Sequence, residues 1–186
     1  MDSERNRVCP VELANSLDSK IRRWLQNPHK ILAPYIKGGM KALDIGCGPG
    51  FFSIEIAKMI GRNGKIISAD LQDGMLQKLK NKIKGTELES RIKLVKCDKS
   101  SINVSEKVDF ILAFYVVHEI PDKNNFFMEL KNILNEKGEF LLVEPKLFHV
   151  SQSEFELTTR LAENNGFKIY KGPKLPFSWS AVLKKF

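Results

Sequence analysis

The segment Ala42-Leu43-Asp44-Ile45-Gly46-Cys47-Gly48-Pro49-Gly50-Phe51-Phe52 constrains this chain more than any other. An apolar, strand-like run carries an acid, a Gly-x-Gly-x-Gly turn follows, and an amphipathic helical pattern begins at once. Glycines placed where a strand turns into a helix let a ligand approach bare backbone amides and the positive end of the helix. The turn therefore points to a nucleotide-like cofactor. Its spacing lacks the last glycine of the Gly-x-Gly-x-x-Gly dinucleotide fingerprint, where Phe51 stands instead, and this argues against a bound pyrophosphate.

Downstream, short apolar runs alternate with helical patterns. Strands are expected at 41 to 45, 65 to 70, 91 to 96, 108 to 114 and 138 to 144, with helices at 50 to 60, 73 to 84 and 123 to 135. That alternation means parallel strands joined by crossover helices. Met75, Leu76, Leu79 and Ile83 form one apolar stripe, and Phe126, Phe127, Leu130, Ile133 and Leu134 another. The crossover at Asp98 to Lys107 has room for little more than a helical turn. A helix over 153 to 165 ends at Asn164-Asn165-Gly166, a good C-cap, and strands at 167 to 171 and 178 to 184 form an antiparallel hairpin. Upstream, Leu13, Leu17, Ile21 and Leu25 predict an amphipathic helix over 11 to 26. Pro28 suits the first turn of a second short helix carrying Ile31, Leu32, Tyr35 and Ile36.

A chain of 186 residues that is 42% hydrophobic suits one domain, with 1 to 39 as an N-terminal helical lid and 40 to 186 as the core. Thirty Lys+Arg against 22 Asp+Glu leave a net charge of +8. The basic residues are dispersed, which reads as a solvated surface, with RNA kept open as a partner. Met1 to Arg7 is charged with no apolar stretch after it, and the longest apolar run, Phe110 to Val117, is too short to span a bilayer. A soluble cytoplasmic protein with no membrane partner is expected. Cys9, Cys47 and Cys97 show neither Cys-x-x-Cys nor Cys/His spacing, so no disulfide framework and no metal are expected.

Asp70 ends the second strand about two dozen residues after the glycine turn, where an acid can accept hydrogen bonds from ribose hydroxyls. Asp73 can cap the following helix and leave Asp70 free for that role. Leu71 and Met75 offer apolar surface to an adenine, although core packing explains Met75 equally well. Cys47, inside the glycine turn, reads as a small packed thiol.

These residues carry a family resemblance. Leu43 to Gly50 resembles the first motif of the class I S-adenosylmethionine-dependent methyltransferases, Ser68-Ala69-Asp70 the second, Lys96-Cys97-Asp98 the third, and Val108 to Phe114 the fourth. The likeness is to small stand-alone archaeal and bacterial members. It implies a Rossmann-like, doubly wound seven-stranded sheet in the order 3-2-1-4-5-7-6 with one antiparallel strand. The glycine turn and Asp44 would hold the methionine part of the cofactor, Asp70 the ribose, and Asp98 the adenine amino group. The expected cofactor-facing set is Asp44, Gly46, Cys47, Gly48, Gly50, Asp70, Leu71, Met75, Asp98 and Phe114. Acids suit a ligand with a sulfonium and an ammonium and no phosphate. Its carboxylate calls for a donor, from Arg22, Arg23 or backbone amides.

Methyl transfer is an in-line displacement in which alignment alone can supply much of the acceleration, so a site of this family can lack an obvious catalytic residue. A base would sit past the fourth strand, where Tyr115-Val116-Val117-His118-Glu119-Ile120-Pro121 resembles the family's substrate-facing segment. His118 suits proton uptake near neutrality, and Glu119 can orient it or bind a cation; a loop histidine satisfying backbone and a solvated Glu119 explain the residues as well. His149 is a weaker candidate and His29 reads as surface or lid. The expected function is methyl transfer from S-adenosylmethionine to a small molecule, the alternatives being RNA methylation and a non-catalytic sensor of the cofactor or its product.

Overall fold

A computed structural model describes residues 26 to 146 and 150 to 186. The predicted helix over 11 to 26, Cys9, Arg22, Arg23 and His149 fall outside the described residues, apart from Gln26 itself.

Among the described residues seven strands form one sheet in the order β3-β2-β1-β4-β5-β7-β6, as expected. They are β1 (Lys41–Ile45), β2 (Lys65–Asp70), β3 (Ile92–Lys96), β4 (Val108–Phe114), β5 (Leu134–Pro145), β6 (Phe167–Lys171) and β7 (Ser178–Lys185). The first five are mutually parallel, and β7 runs antiparallel to both neighbours. The order of strands reverses between β1 and β4, and a crevice therefore opens outside their carboxyl ends.

Alternation along the strands sends side chains to two separate cores. Ala42, Phe110, Leu112, Phe114, Leu141 and Val143 face the layer made by α1 (Pro28–Leu32), α2 (Ser53–Ile60) and α3 (Asp73–Ile83). Leu43, Ile45, Ile111, Ala113, Phe140 and Leu142 face α4 (Lys123–Ile133) and α5 (Gln152–Asn164). Because strands β1 and β4 are covered on both faces, they read in sequence as nearly continuous apolar runs.

The local signals act as read at several helix ends. Pro28 opens α1, with Asn27 Oδ1 accepting the Lys30 N–H at 3.1 Å. Asn165 caps α5, and Gly166 follows at φ +84. Elsewhere the boundaries differ. α1 stops at Leu32, short of Tyr35 and Ile36, and α2 begins at Ser53 because the glycine turn extends through Phe52. The crossover after β3 contains no helical turn.

The largest difference lies between α4 and β5. The helix is expected through 135 and the strand from 138, yet the helix ends at Ile133 and the strand starts at Leu134, directly after it. Val108 pairs with Leu134 and Phe110 with Glu139, so β5 carries extra residues looped out of the ladder. Arg91, counted with the surface charges, is buried as well: its guanidinium donates to the Ala57 carbonyl at 3.3 Å and pairs with Glu87 at 2.7 Å.

Phe127 sits at the centre of the second core, fully buried against Phe126, Phe140 and Phe167 at ring-centroid distances of 5.5, 6.4 and 6.2 Å. Truncating a ring so enclosed leaves a cavity that rigid strands cannot close. Phe127→Ala should lower stability by about 3–5 kcal/mol, read as a shift in the urea unfolding midpoint.

Candidate functional site

The glycine turn lies at the carboxyl end of β1, fastened by the Cys47 N–H to the Ala69 carbonyl at 3.1 Å. Its glycines meet different neighbours. A β-carbon on Gly46 would lie 2.7 Å from Val116 Cγ2, and one on Gly50 would lie 2.3 Å from Leu79 Cδ1, so both close approaches need the missing side chain. A β-carbon on Gly48 would meet nothing within 4 Å, although φ is +53 there. The backbone at Gly48 thus faces open space, and its own N–H is tied down beside it.

That N–H goes to Asp70. Asp70 is 6% exposed; Oδ2 accepts the Gly48 N–H at 2.8 Å, and Oδ1 accepts the Gln72 N–H at 2.8 Å. The division of labour expected from sequence is therefore overturned. Asp73 caps nothing with its side chain, which pairs with Lys96 at 2.8 Å on the surface; it is the first residue of α3, one place too late to be the cap. Asp70 joins the turns after β1 and β2 instead of standing free. Burial pushes its carboxyl up from the ordinary aspartate value, against the lowering effect of these amides.

Asp44 is 2% exposed. Its Oδ2 accepts the Ser53 hydroxyl at 2.6 Å, and Ser53 Oγ in turn accepts the Ser68 hydroxyl at 2.9 Å, so β1, β2 and the start of α2 share one polar chain. Cys47 lies buried between the acids, and burial, then Asp44 and Asp70, push its thiol well up. Burial raises Cys97 to about 12. Both thiols are buried, and Cys47 is packed as expected.

The remaining residues of the expected cofactor-facing set lie at or just past the carboxyl ends of β2, β3 and β4. Leu71 is half-buried beside Asp70. Met75 is 2% exposed in the first turn of α3. Phe114 is buried, with ring centroids 4.4 Å from Phe52 and 4.6 Å from Tyr115. Asp98 is exposed past β3, where Oδ2 accepts the Asn103 side-chain amide at 2.9 Å. His29 is exposed and bonds Glu55 at 2.9 Å.

Beyond β4 the chain turns sharply. Tyr115 adopts φ +63, a left-handed conformation that is strained for an aromatic residue. Its hydroxyl lies 2.5 Å from Ser178 Oγ and accepts the Gln26 side-chain amide at 2.8 Å, which ties the β4 turn to the start of β7. A short 3₁₀ turn, Val117–Glu119, follows. Val116, just before it, is the residue that packs on Gly46.

Glu144 was not among the residues that sequence reasoning singled out. It ends the apolar run of β5, is 2% exposed, and reaches under the turn after β4. Its Oε1 accepts the N–H of Val116 at 3.2 Å and of Val117 at 3.0 Å. Its Oε2 accepts the His118 N–H at 3.0 Å and lies 2.8 Å from His118 Nδ1. Glu119 Oε1 is 3.9 Å from His118 Nε2. The signal was available: Asp44, Asp70 and Glu144 are all acids at or next to the carboxyl end of a buried strand, and the same reasoning that singled out Asp70 applies to Glu144.

Comparison with known proteins agrees with this fold. A crystal structure of an S-adenosylmethionine-dependent methyltransferase from Aquifex aeolicus superposes with a TM-score of 0.83 at 22% identity, covering 95% of this chain and 98% of that one. Aeropyrum pernix fibrillarin, solved with natively bound S-adenosylmethionine, gives 0.64 at 17% identity, covering 79% of this chain and 66% of that one. A demethylmenaquinone methyltransferase from Lactobacillus johnsonii is 28% identical over 110 residues, 59% of this chain and 45% of the relative. A ubiquinone/menaquinone biosynthesis C-methyltransferase from a Marinomonas species is 23% identical over 163 residues, 87% of this chain and 63% of the relative. The chain thus spans roughly half to two thirds of the length of the curated relatives it matches. The model of a family described as a methyltransferase domain matches residues 36–180, from before β1 into β7, and so takes in every turn described above. With that match across most of its length, the chain belongs to the class I S-adenosylmethionine-dependent methyltransferases.

Proposed function

We propose that this chain transfers a methyl group from S-adenosylmethionine to a small-molecule acceptor, with His118 acting as the base on the acceptor side. One observation carries the reading. Val116 packs on Gly46 while His118 sits two residues further along the chain, so the turn that carries His118 is held against the glycine turn.

The residues present fit the cofactor. Gly48 offers backbone with open space where any side chain would project, and the buried acids Asp44 and Asp70 flank the turn, which suits a cationic ligand and would repel a pyrophosphate. S-adenosylmethionine supplies a methyl group made electrophilic by its sulfonium. Asp70 retains lone pairs beyond the two it uses on Gly48 and Gln72, and these can accept ribose hydroxyls. The glycine turn and Asp44 would hold the amino-acid end, and Leu71 would border the adenine. His118 receives the acceptor's proton, and Glu119, close to its Nε2, favours the resulting positive charge. The named quinone substrates of the relatives support a small molecule over RNA.

Calorimetry tests the cofactor assignment. Asp70→Asn should weaken S-adenosylmethionine and S-adenosylhomocysteine at least about tenfold, since one acceptor oxygen cannot serve both backbone donors and the ligand. Unchanged affinity, or tight binding of NADH, would overturn it. Affinity should also fall with decreasing pH, starting above the range of an exposed aspartate, because the carboxyl of Asp70 takes up its proton early and then loses acceptor capacity.

Incubation of cell extract with methyl-labelled cofactor tests the acceptor. Label should enter the small-molecule fraction, and His118→Ala should slow it about 10²- to 10⁴-fold. Label in RNA would refute the small-molecule acceptor, and label in no fraction would favour a cofactor-binding sensor.

A further inference from the structure

We infer that Glu144 is a positioning residue, which holds the His118 imidazole in its Nδ1–H tautomer and thereby keeps the basic lone pair on Nε2. The inference rests on the reading of His118 as the acceptor-side base.

Among the described residues, three of the four groups hydrogen-bonded to the Glu144 carboxylate are backbone N–H groups, of Val116, Val117 and His118, and these can only donate. Both oxygens are therefore engaged as acceptors, as in an ionised carboxylate, and the fourth contact, to His118 Nδ1 at 2.8 Å, then fits a ring nitrogen that donates. A ring that donates from Nδ1 in its neutral form carries its lone pair on Nε2.

Capping explains part of the arrangement and leaves the rest unexplained. The opening amides of the 3₁₀ turn lack intrahelical partners, and Val116, at the cap position, has no side chain to bond them. Glu144 supplies that acceptor from another strand. The cap requires only the three amides, however. Bonding the imidazole in addition fixes the ring's rotation and tautomer from a residue that is itself immobilised at 2% exposure in the sheet.

The proton balance is simple. The acceptor's proton would pass to Nε2 as its electron pair forms the new bond to the methyl carbon and the carbon–sulfur bond of the bound donor breaks, its electron pair staying on sulfur as a neutral thioether; the ring would then hold two protons and one positive charge. The positive ring lies between Glu144 at Nδ1 and Glu119 at 3.9 Å from Nε2, and returns its proton to solvent. Glu144 itself touches neither cofactor nor acceptor in this scheme.

Nitrogen-15 NMR of the histidine-labelled protein tests this without an acceptor. The chain has three histidines, and His118→Gln assigns the signal. At a pH where the ring is neutral, the Nδ1–H form should exceed the Nε2–H form by about tenfold or more, set by a charge-assisted hydrogen bond. In Glu144→Gln the amide oxygen should keep the Val116 and Val117 donors while the amide NH₂ turns to the ring and reverses the ratio. Glu144→Asp should retain the wild-type preference. A wild-type ring in the Nε2–H form, or an unchanged ratio in Glu144→Gln, would overturn the inference. If Glu144→Gln does not fold, the wild-type spectrum still decides. Nδ1–H without any methyl transfer would refute the base reading and leave the positioning role standing, so the two failures are distinct.

Discussion

The N–H of Gly48 donates to a carboxylate on the neighbouring strand, and much of the cleft depends on bonds of that kind. Parallel strands end with unpaired amides in the turns that follow them, and buried amides need acceptors. In this sheet the acceptors are acids carried by the strands themselves. Asp70 joins the turns after β1 and β2, and Glu144 holds the turn after β4 from β5. Each acid stitches a turn to an adjacent strand end, so the crevice at the switch in strand order has walls fixed by the sheet.

The arrangement concentrates negative charge where the chain's overall balance is positive, +8 by count. Asp44, Asp70 and Glu144 are each at least 94% buried and each is hydrogen-bonded. A buried carboxylate is tolerable only with such donors, and it acts on nearby ligands through a low-dielectric surround that water screens little. Surface lysines spread over the molecule do not cancel it. Net charge alone does not reveal this: the balance of the whole chain is positive, while Asp44, Asp70 and Glu144 are turned inward at strand ends.

Much of the fold was legible because it rests on local patterning. The glycine turn, the alternation of strand and helix, the apolar stripes of α3 and α4 and the cap at Asn165-Gly166 each depend on a few neighbouring residues, and each appears where expected. The misread places depend on partners distant in sequence. Residues 134 to 137, expected to lie before the strand, are absorbed into β5, because Leu134 and Glu139 both find partners on β4. Asp73 looks like a cap, yet the start of α3 is tied by Asp70 through Gln72. Arg91 reads as a surface charge and is enclosed by α2 through Ala57.

Sequence by itself determined the sheet class and the place of the glycine turn, since these follow from periodicities of two and about four and from residue chemistry. It also placed His118 past β4. Tertiary structure alone decided how those residues are engaged. Glu144 lies 26 residues from His118 along the chain and 2.8 Å from its ring, and only the parallel pairing of β4 with β5 brings them together. Which nitrogen of a histidine holds a proton depends on what faces it across space, and no spacing in a one-dimensional pattern encodes that.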